Sequence, residues 1–271
     1  MTSTDRRIDL PAFSADLAFD DSGSGPAALV LHGGGGPATV AGLAAQLAGD
    51  RRVLLPTHPG WDGRPRPEAL TRISDLADLY LALLDDLGLT DVLVVGSSLG
   101  GWIAADMASR DSAGRVGRLV VIDGAGIAVD GQDFVDFFSL TPRQIAEHSW
   151  HDADRFFVDP ASMPAERLAA QRANMQTMAV VAGDPYMHDP SLLGRLGDVR
   201  VPALVVWGES DRVFTPEYGR AYAAALPDAR FELVAEAGHL PQLEQPEATL
   251  ALVRAFADSR ELGPRGLSRA G

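Results

Sequence analysis

The sequence predicts an α/β fold built on a doubly wound, mostly parallel sheet. Two observations carry the prediction: short, apolar runs rich in β-branched residues recur along the chain, and amphipathic helical stretches separate them. The runs are Ala28-Leu29-Val30-Leu31, Arg52-Val53-Leu54-Leu55, Val92-Leu93-Val94-Val95, Leu119-Val120-Val121-Ile122, Ala203-Leu204-Val205-Val206 and Phe231-Glu232-Leu233-Val234. Most are continuously apolar, as strands covered on both faces are. Ahead of them, Leu17-Ala18-Phe19-Asp20 and the following Asp21-Ser22-Gly23-Ser24-Gly25 read as an edge strand and a turn into the sheet.

Between strands, Ile73, Leu76, Tyr80, Leu83, Leu84 and Leu87 repeat at three- and four-residue intervals, which places them on one helical face against the sheet. Pro246 suits the first turn of a closing helix through Leu250, Val253 and Phe256. From residue 128 to residue 198 the strand rhythm stops. Thr141-Pro142-Arg143-Gln144 has the form of a capping box with proline at the first helical position, and Leu168, Gln171, Met175 and Met178 fall on one helical face. A segment this long without strands is expected to be a helical cap at 128–198, inserted into a core formed by 1–127 and 199–258. Residues 259–271, with Gly263, Pro264 and Gly266, are expected to be a flexible C-terminal tail.

Composition narrows the function. The chain has 271 residues, is 46% hydrophobic and 22% charged, and carries a formal charge of −14, so a polyanion is repelled over most of its surface. Nucleic acid and anionic membrane are poor partners, which leaves a small molecule as the expected one. With no cysteine, disulfides, thiolate nucleophiles and thiolate metal sites are excluded. The polar start, Met1-Thr2-Ser3-Thr4-Asp5-Arg6-Arg7, lacks the apolar stretch of a secretory signal, and cytoplasmic residence is the expectation. His148 and His151 have an i, i+3 spacing, but no further histidine or cysteine accompanies them, so neither a metal nor a cofactor is expected.

Gly96-Ser97-Ser98-Leu99-Gly100 fits G-x-S-x-G. In a glycine-rich chain the pattern alone is weak, and its position gives it weight: an apolar strand run ends directly before it and Gly101-Trp102-Ile103-Ala104-Ala105 reads as a helix directly after. The chemistry explains the glycines. A serine held at a strand-to-helix corner takes a strained backbone conformation, and side chains two residues away on either side would strike neighbouring backbone. A neutral hydroxyl attacks a carbonyl poorly, so it needs an imidazole to take its proton and a carboxylate to fix the tautomer of that imidazole. Asp211, in Trp207-Gly208-Glu209-Ser210-Asp211, and His239, in Glu236-Ala237-Gly238-His239-Leu240, each follow a strand run. Ser98, Asp211 and His239 therefore all fall on loops leaving the C-terminal ends of strands, where parallel sheets place their sites. Asp123, in Ile122-Asp123-Gly124, and Glu209 are alternative carboxylates.

Through G-S-S-L-G, W-G-E-S-D-R-V and E-A-G-H-L-P-Q-L-E-Q-P, in the chain order Ser, Asp, His, nearly the whole chain resembles the α/β-hydrolase superfamily. The resemblance implies an eight-stranded sheet and a cofactor-free serine hydrolase. His32-Gly33-Gly34-Gly35-Gly36-Pro37 is similar to the oxyanion loop of that family, which implies an oxyanion hole made by the amides of Leu99 and Gly34, with Gly35 as rival, and a supporting role for His32. Met178, with Gly35, Trp102, Phe134, Phe137, Phe138 and Met175, is a candidate for the substrate pocket. Thr57-His58-Pro59-Gly60-Trp61-Asp62-Gly63-Arg64 departs from the P-G-x-G-x-S form common in the family.

The expected reaction is hydrolysis of a small carboxylic ester, thioester or lactone through an acyl-enzyme. The H-G-G-G-G-P loop also resembles that of meta-cleavage-product hydrolases, which cut a carbon–carbon bond in a vinylogous diketone, although Ser97 and Leu240 stand where those enzymes more often carry Asn and Trp. A non-catalytic, ligand-binding receptor on the same fold is the third reading.

Overall fold

The computed structural model describes residues 2–132 and 134–259. Eight strands form one sheet: β1 (Thr2–Asp9), β2 (Ser14–Ser22), β3 (Ala27–Leu31), β4 (Arg52–Thr57), β5 (Val92–Ser97), β6 (Val116–Ile122), β7 (Ala203–Gly208) and β8 (Ala229–Val234). Their spatial order is β1-β2-β4-β3-β5-β6-β7-β8. The first two joins, β1 with β2 and β2 with β4, are antiparallel; every other join is parallel. All six apolar runs lie in strands, and so does the expected edge strand, but β2 is not the edge. β1 covers it, and the polar sequence of β1, Thr2 to Asp9, gives no strand signal because an edge strand need not bury a continuous apolar face.

The two faces of the sheet read out the period of two. Leu29, Leu31, Val92, Val94, Leu119 and Val121 point into one core layer, where α2 (Ile73–Asp86) and α3 (Leu99–Arg110) pack. Ala28, Val30, Leu93, Val95, Val120 and Ile122 point into the other, which the helices α1 (Ala41–Leu47) and α10 (Pro246–Ala257) close. The amphipathic stretch forms α2, with Ile73, Leu76, Tyr80, Leu83 and Leu84 buried, and Pro246 opens α10.

Between β6 and β7 the chain runs through α4 (Pro142–Ser149), α5 (Ala153–Phe156), α6 (Ala165–Ala182) and α7 (Leu192–Leu196); α8 (Pro216–Ala225) and α9 (Pro241–Glu244) follow later. The capping box forms at α4, where Thr141 and Gln144 bond each other's backbone. On α6 the buried face differs from the expected one. Gln171 is exposed and Leu168 and Met175 are half-buried, while Asn174, Thr177, Met178, Val181 and Ala182 are buried. An apolar pattern misses this face because two of its buried members are polar and find partners below it. Among the described residues, no helix is long and apolar enough to cross a membrane. Apart from Ser259, the expected tail lies outside the described residues.

The parallel part of the sheet has a topological switch point. From β3 the chain crosses to β4 on one side, and after α2 it returns to β5 on the other. Loops leaving β3 and β5 diverge there and open a crevice at the carboxyl ends of the strands. The glycine run follows β3 and Ser98 follows β5, so both line it.

Candidate active site

Ser98 sits at φ 56°, ψ −118°, in the left-handed region that costs a non-glycine residue strain. Its surroundings hold it there. The Ser98 N–H donates to Ile122 O at 2.9 Å, and its carbonyl accepts from the N–H groups of Gly101 at 2.9 Å and Ala125 at 3.2 Å. The flanking glycines are sterically obligatory: a Cβ on Gly96 would lie 2.0 Å from Gly100 O, and one on Gly100 would lie 2.2 Å from Leu31 O and 2.6 Å from His32 O. All three obstacles are backbone, so no rotamer change relieves them.

His239 and Asp211 meet this serine. Ser98 Oγ lies 2.9 Å from His239 Nε2, and His239 Nδ1 lies 2.9 Å from Asp211 Oδ2. The loop that leaves β7 turns tightly, so that Asp211 Oδ1 accepts from the N–H groups of Val213 at 2.8 Å and Phe214 at 3.2 Å. These two bonds fix which oxygen faces the histidine. The carboxylate has no proton to give, so His239 Nδ1 must donate to it, and Nε2 is left as an acceptor toward the hydroxyl. The Phe214 ring lies 5.7 Å from the imidazole and walls that side.

Glu244, itself 9% exposed at the end of α9, holds the histidine loop. Its carboxylate accepts from Gly238 N–H at 2.6 Å and, from the segment after α4, from His151 N–H at 3.0 Å and Asp152 N–H at 3.2 Å. His239 N–H donates in turn to Ser149 O at 2.7 Å. Gln242 joins the same corner to β5, donating to Ser97 Oγ at 3.0 Å.

Asp123 is fully buried at φ 44° and lies near the pair, so that single polar atoms of Asp123, Asp211 and His239 fall within 4.8 Å of one another. Its Oδ1 accepts from Gly208 N–H at 2.8 Å and its Oδ2 has no hydrogen-bond partner. Burial, and next the charge of Asp211, push its carboxyl well above the usual carboxylate range. Of the alternative carboxylates, neither Asp123 nor Glu209 meets the histidine; Asp211 does.

The glycine run folds over Ser98. A Cβ on Gly33 would lie 2.9 Å from Ser98 Cβ. His32 is fully buried, with Nδ1–H donating to Gly33 O at 2.7 Å and Nε2 accepting from His58 N–H at 3.1 Å. His58 stacks on it with ring centroids 3.6 Å apart and donates through Nε2–H to His32 O at 2.8 Å, while its Nδ1 accepts from the Tyr80 hydroxyl at 2.5 Å. Each imidazole has one donor and one acceptor role, both used, so a second proton on either ring has no acceptor. Burial lowers His32 to about 4, and burial together with the neighbouring His32 lowers His58 as well.

The expected pocket residues occupy varied positions. Met178 reaches the loop: a Cβ on Gly34 would lie 2.7 Å from Met178 Sδ. Trp102 is buried, its ring pressed against Gly126. Phe137 is half-buried and donates its N–H to the Tyr186 hydroxyl at 2.9 Å, while Phe138 is 40% exposed and meets Tyr186 edge-on. Gly35 faces Thr39, whose Cγ2 would lie 2.9 Å from an added Cβ, and Met175 is half-buried. Sequence reasoning missed Phe214, Gln242 and Glu244. None belongs to a periodic pattern: Gln242 and Glu244 stand within the E-A-G-H-L-P-Q-L-E-Q-P motif, and the signal for Phe214 is its nearness to Asp211 in the chain. His148 and His151 serve locally: His148 Nδ1 donates to Gln144 O at 2.9 Å, and His151 Nδ1 pairs with Ser210 Oγ at 2.7 Å.

The sequence is 31% identical, over 84% of this chain and 96% of the relative, to the pimeloyl-[acyl-carrier protein] methyl ester esterase of Aromatoleum aromaticum. It is 29% identical, over 88% of this chain, to the dihydrolipoyllysine-residue acetyltransferase component of the acetoin cleaving system of Pseudomonas putida, and spans 65% of that protein's length. The fold is also that of the meta-cleavage product hydrolase of Pseudomonas fluorescens IP01, with a TM-score of 0.76 at 20% identity, covering 94% of this chain and 98% of that one. The family model described as "Alpha/beta hydrolase family" matches residues 28–252. The chain therefore belongs to the alpha/beta hydrolase family.

Proposed function

We propose that this chain hydrolyses a carboxylic ester, thioester or lactone of a small, partly apolar molecule through an acyl-enzyme on Ser98. The observation that carries the reading is the unbroken chain of two 2.9 Å contacts from Ser98 Oγ through His239 to Asp211. Ser98 Oγ attacks the carbonyl carbon while its proton passes to His239 Nε2. The resulting imidazolium is stabilised by Asp211 and returns that proton to the leaving alkoxide or thiolate as the tetrahedral intermediate collapses. Water, deprotonated by His239, then attacks the acyl-enzyme, and Ser98 leaves with the proton.

The negative oxygen needs donors. Leu99 opens α3, where the first N–H groups have no intrahelical acceptor. On the other loop, the Gly33 carbonyl is turned toward His32 Nδ1 and toward Gly36 N–H at 3.2 Å. A planar trans peptide points its N–H opposite to its C=O, so these bonds set the direction of the Gly34 amide, and the bond from Trp61 Nε1–H to Gly34 O at 3.0 Å sets that of its rival, Gly35. Such donors contribute about 3 kcal/mol each. Residues 128–198 act as a cap over the core of 1–127 and 199–258, with Met178 and Phe214 facing the acyl group.

The 31% identity to a methyl ester esterase supports an ester over the diketone. S98A is expected to lose about 10⁴-fold or more in kcat on a p-nitrophenyl ester, with KM little changed. A fluorophosphonate probe is expected to label wild type at Ser98 and to leave S98A unlabelled. Unchanged turnover by S98A refutes the assignment, and failure of folded wild type to label favours a ligand-binding role.

A further inference from the structure

The loop at residues 57–64, which departs from the family's usual pattern, is wired to the glycine run. Trp61 is fully buried and its indole Nε1–H donates to Gly34 O at 3.0 Å. Four consecutive glycines leave the backbone free to rotate its peptides at little steric cost. An oxyanion hole is worth its several kcal/mol only when its donors are already aimed, so this run needs anchors from outside itself. His32 and Gly36 N–H hold the Gly33 carbonyl, and Trp61 holds the next one, so both peptides flanking Gly34 are fixed from the carbonyl side.

The loop carrying Trp61 is in turn locked to α6. Asn174, 3% exposed, makes a paired contact with Asp62: its Oδ1 accepts Asp62 N–H at 2.9 Å and its Nδ2 donates to Asp62 Oδ1 at 3.0 Å. One turn on, the Thr177 hydroxyl donates to Gly60 O at 2.9 Å. Residues 174 and 177 share a helix face, so a single side of α6 grips the loop on both sides of Trp61. This accounts for a buried helix face that carries an amide and a hydroxyl.

We propose that Trp61 and Asn174 are positioning residues for the oxyanion hole: Trp61 pins the Gly34–Gly35 peptide, which fixes the conformation of Gly34 and the direction of the Gly35 N–H, and Asn174, assisted by Thr177, pins Trp61's loop to α6. The inference rests on the ester-hydrolase reading and adds residues that touch no reacting atom.

The test compares wild type with W61F, N174A and T177V, using an alkyl trifluoromethyl ketone and the methyl ketone of the same shape as inhibitors. The trifluoromethyl ketone adds to Ser98 Oγ and leaves an alkoxide in the hole, whereas the methyl ketone binds as a neutral carbonyl. W61F is expected to lower kcat about 10- to 100-fold with KM within about threefold, and to weaken the trifluoromethyl ketone by the same factor while sparing the methyl ketone. N174A and T177V follow in the same direction by about 3- to 10-fold, because a bond lost one step away leaves the indole contact in place. An unchanged ratio of the two inhibition constants in folded W61F overturns the proposal. Should W61F not fold, the nearly isosteric T177V decides by the same ratio. Loss of fluorophosphonate labelling in wild type would instead count against the ester reading itself.

Discussion

D211N separates geometry from charge at the site. Asn has one acceptor where Asp has two, and two claims compete for it: the N–H groups of Val213 and Phe214 on one side and His239 Nδ1–H on the other. Turning the amide oxygen toward His239 strips both backbone donors of their acceptor, at about 1 to 3 kcal/mol for each buried donor left unpaired. Keeping the oxygen on the backbone costs the fold little, but presents an NH2 group to Nδ1. His239 then carries its proton on Nε2, where it donates to Ser98 Oγ instead of accepting from it. The second arrangement wins, and the base is held in the wrong tautomer. The expected loss in kcat is about 10⁴-fold, or about 5 kcal/mol of barrier, with the melting temperature shifted by only a few degrees. The measurement is kcat and kcat/KM on a p-nitrophenyl ester, alongside thermal unfolding. A folded D211N that loses less than tenfold refutes the reasoning. In that event a D123N/D211N double variant that loses the residual activity would identify Asp123 as the operative acid.

G100A is expected to cost about 3 kcal/mol or more, because its new methyl would lie 2.2 Å from a backbone carbonyl that no side chain motion can clear; urea unfolding within 0.5 kcal/mol of wild type would contradict this. His32, lowered from the usual imidazole value of 6.5 to about 4, is neutral in the fold and protonated in the unfolded chain between those limits. The unfolded state therefore binds more protons there. Stability contributed by His32 is complete above pH 6.5 and falls by about 3 kcal/mol as the pH drops to 4, with His58 adding in the same direction. Urea midpoints from pH 7.5 to 4.5 follow the loss, and a His32 ring resonance that titrates near 6.5 would refute it. Asp123 has the opposite slope. With its carboxyl raised, its contribution is present below the ordinary carboxylate value and is lost as the pH rises, so D123N is expected to gain stability relative to wild type between pH 5 and 8; a constant difference over that range counts against a raised Asp123 carboxyl.

The parallel strands were legible because a strand covered on both faces must be apolar throughout, as Val92 to Val95 are. The corner at Ser98 was legible for a steric reason, since Gly96 and Gly100 admit no side chain. Asp211 was legible because it follows such a strand, and His239 because it follows the run Phe231-Glu232-Leu233-Val234 of β8, an edge strand that is only partly apolar. What escaped the sequence was held by polar contacts. β1 presents Thr, Ser, Asp and Arg and joins the sheet through backbone bonds to β2. Asn174 and Thr177 look like the solvent side of a helix and are buried because Asp62 and Gly60 satisfy them. Glu244 has the composition of a surface residue, and only the fold brings three backbone donors to it. A hydrophobic pattern records which residues shun water and says nothing of which polar groups find partners away from it.

The bonds made by Glu244 bear on how freely such enzymes can trade parts. Because one carboxylate grips both the turn before His239 and the residues after α4, the segment from 128 to 198 is not a removable roof. A chimera that imported another protein's insertion would leave two of the three backbone partners of Glu244 to chance and would loosen the turn that aims the imidazole. Grafts that break the chain beyond Asp152 keep that turn intact, but they must also keep Asn174 and Thr177 on α6, which hold the loop of Trp61.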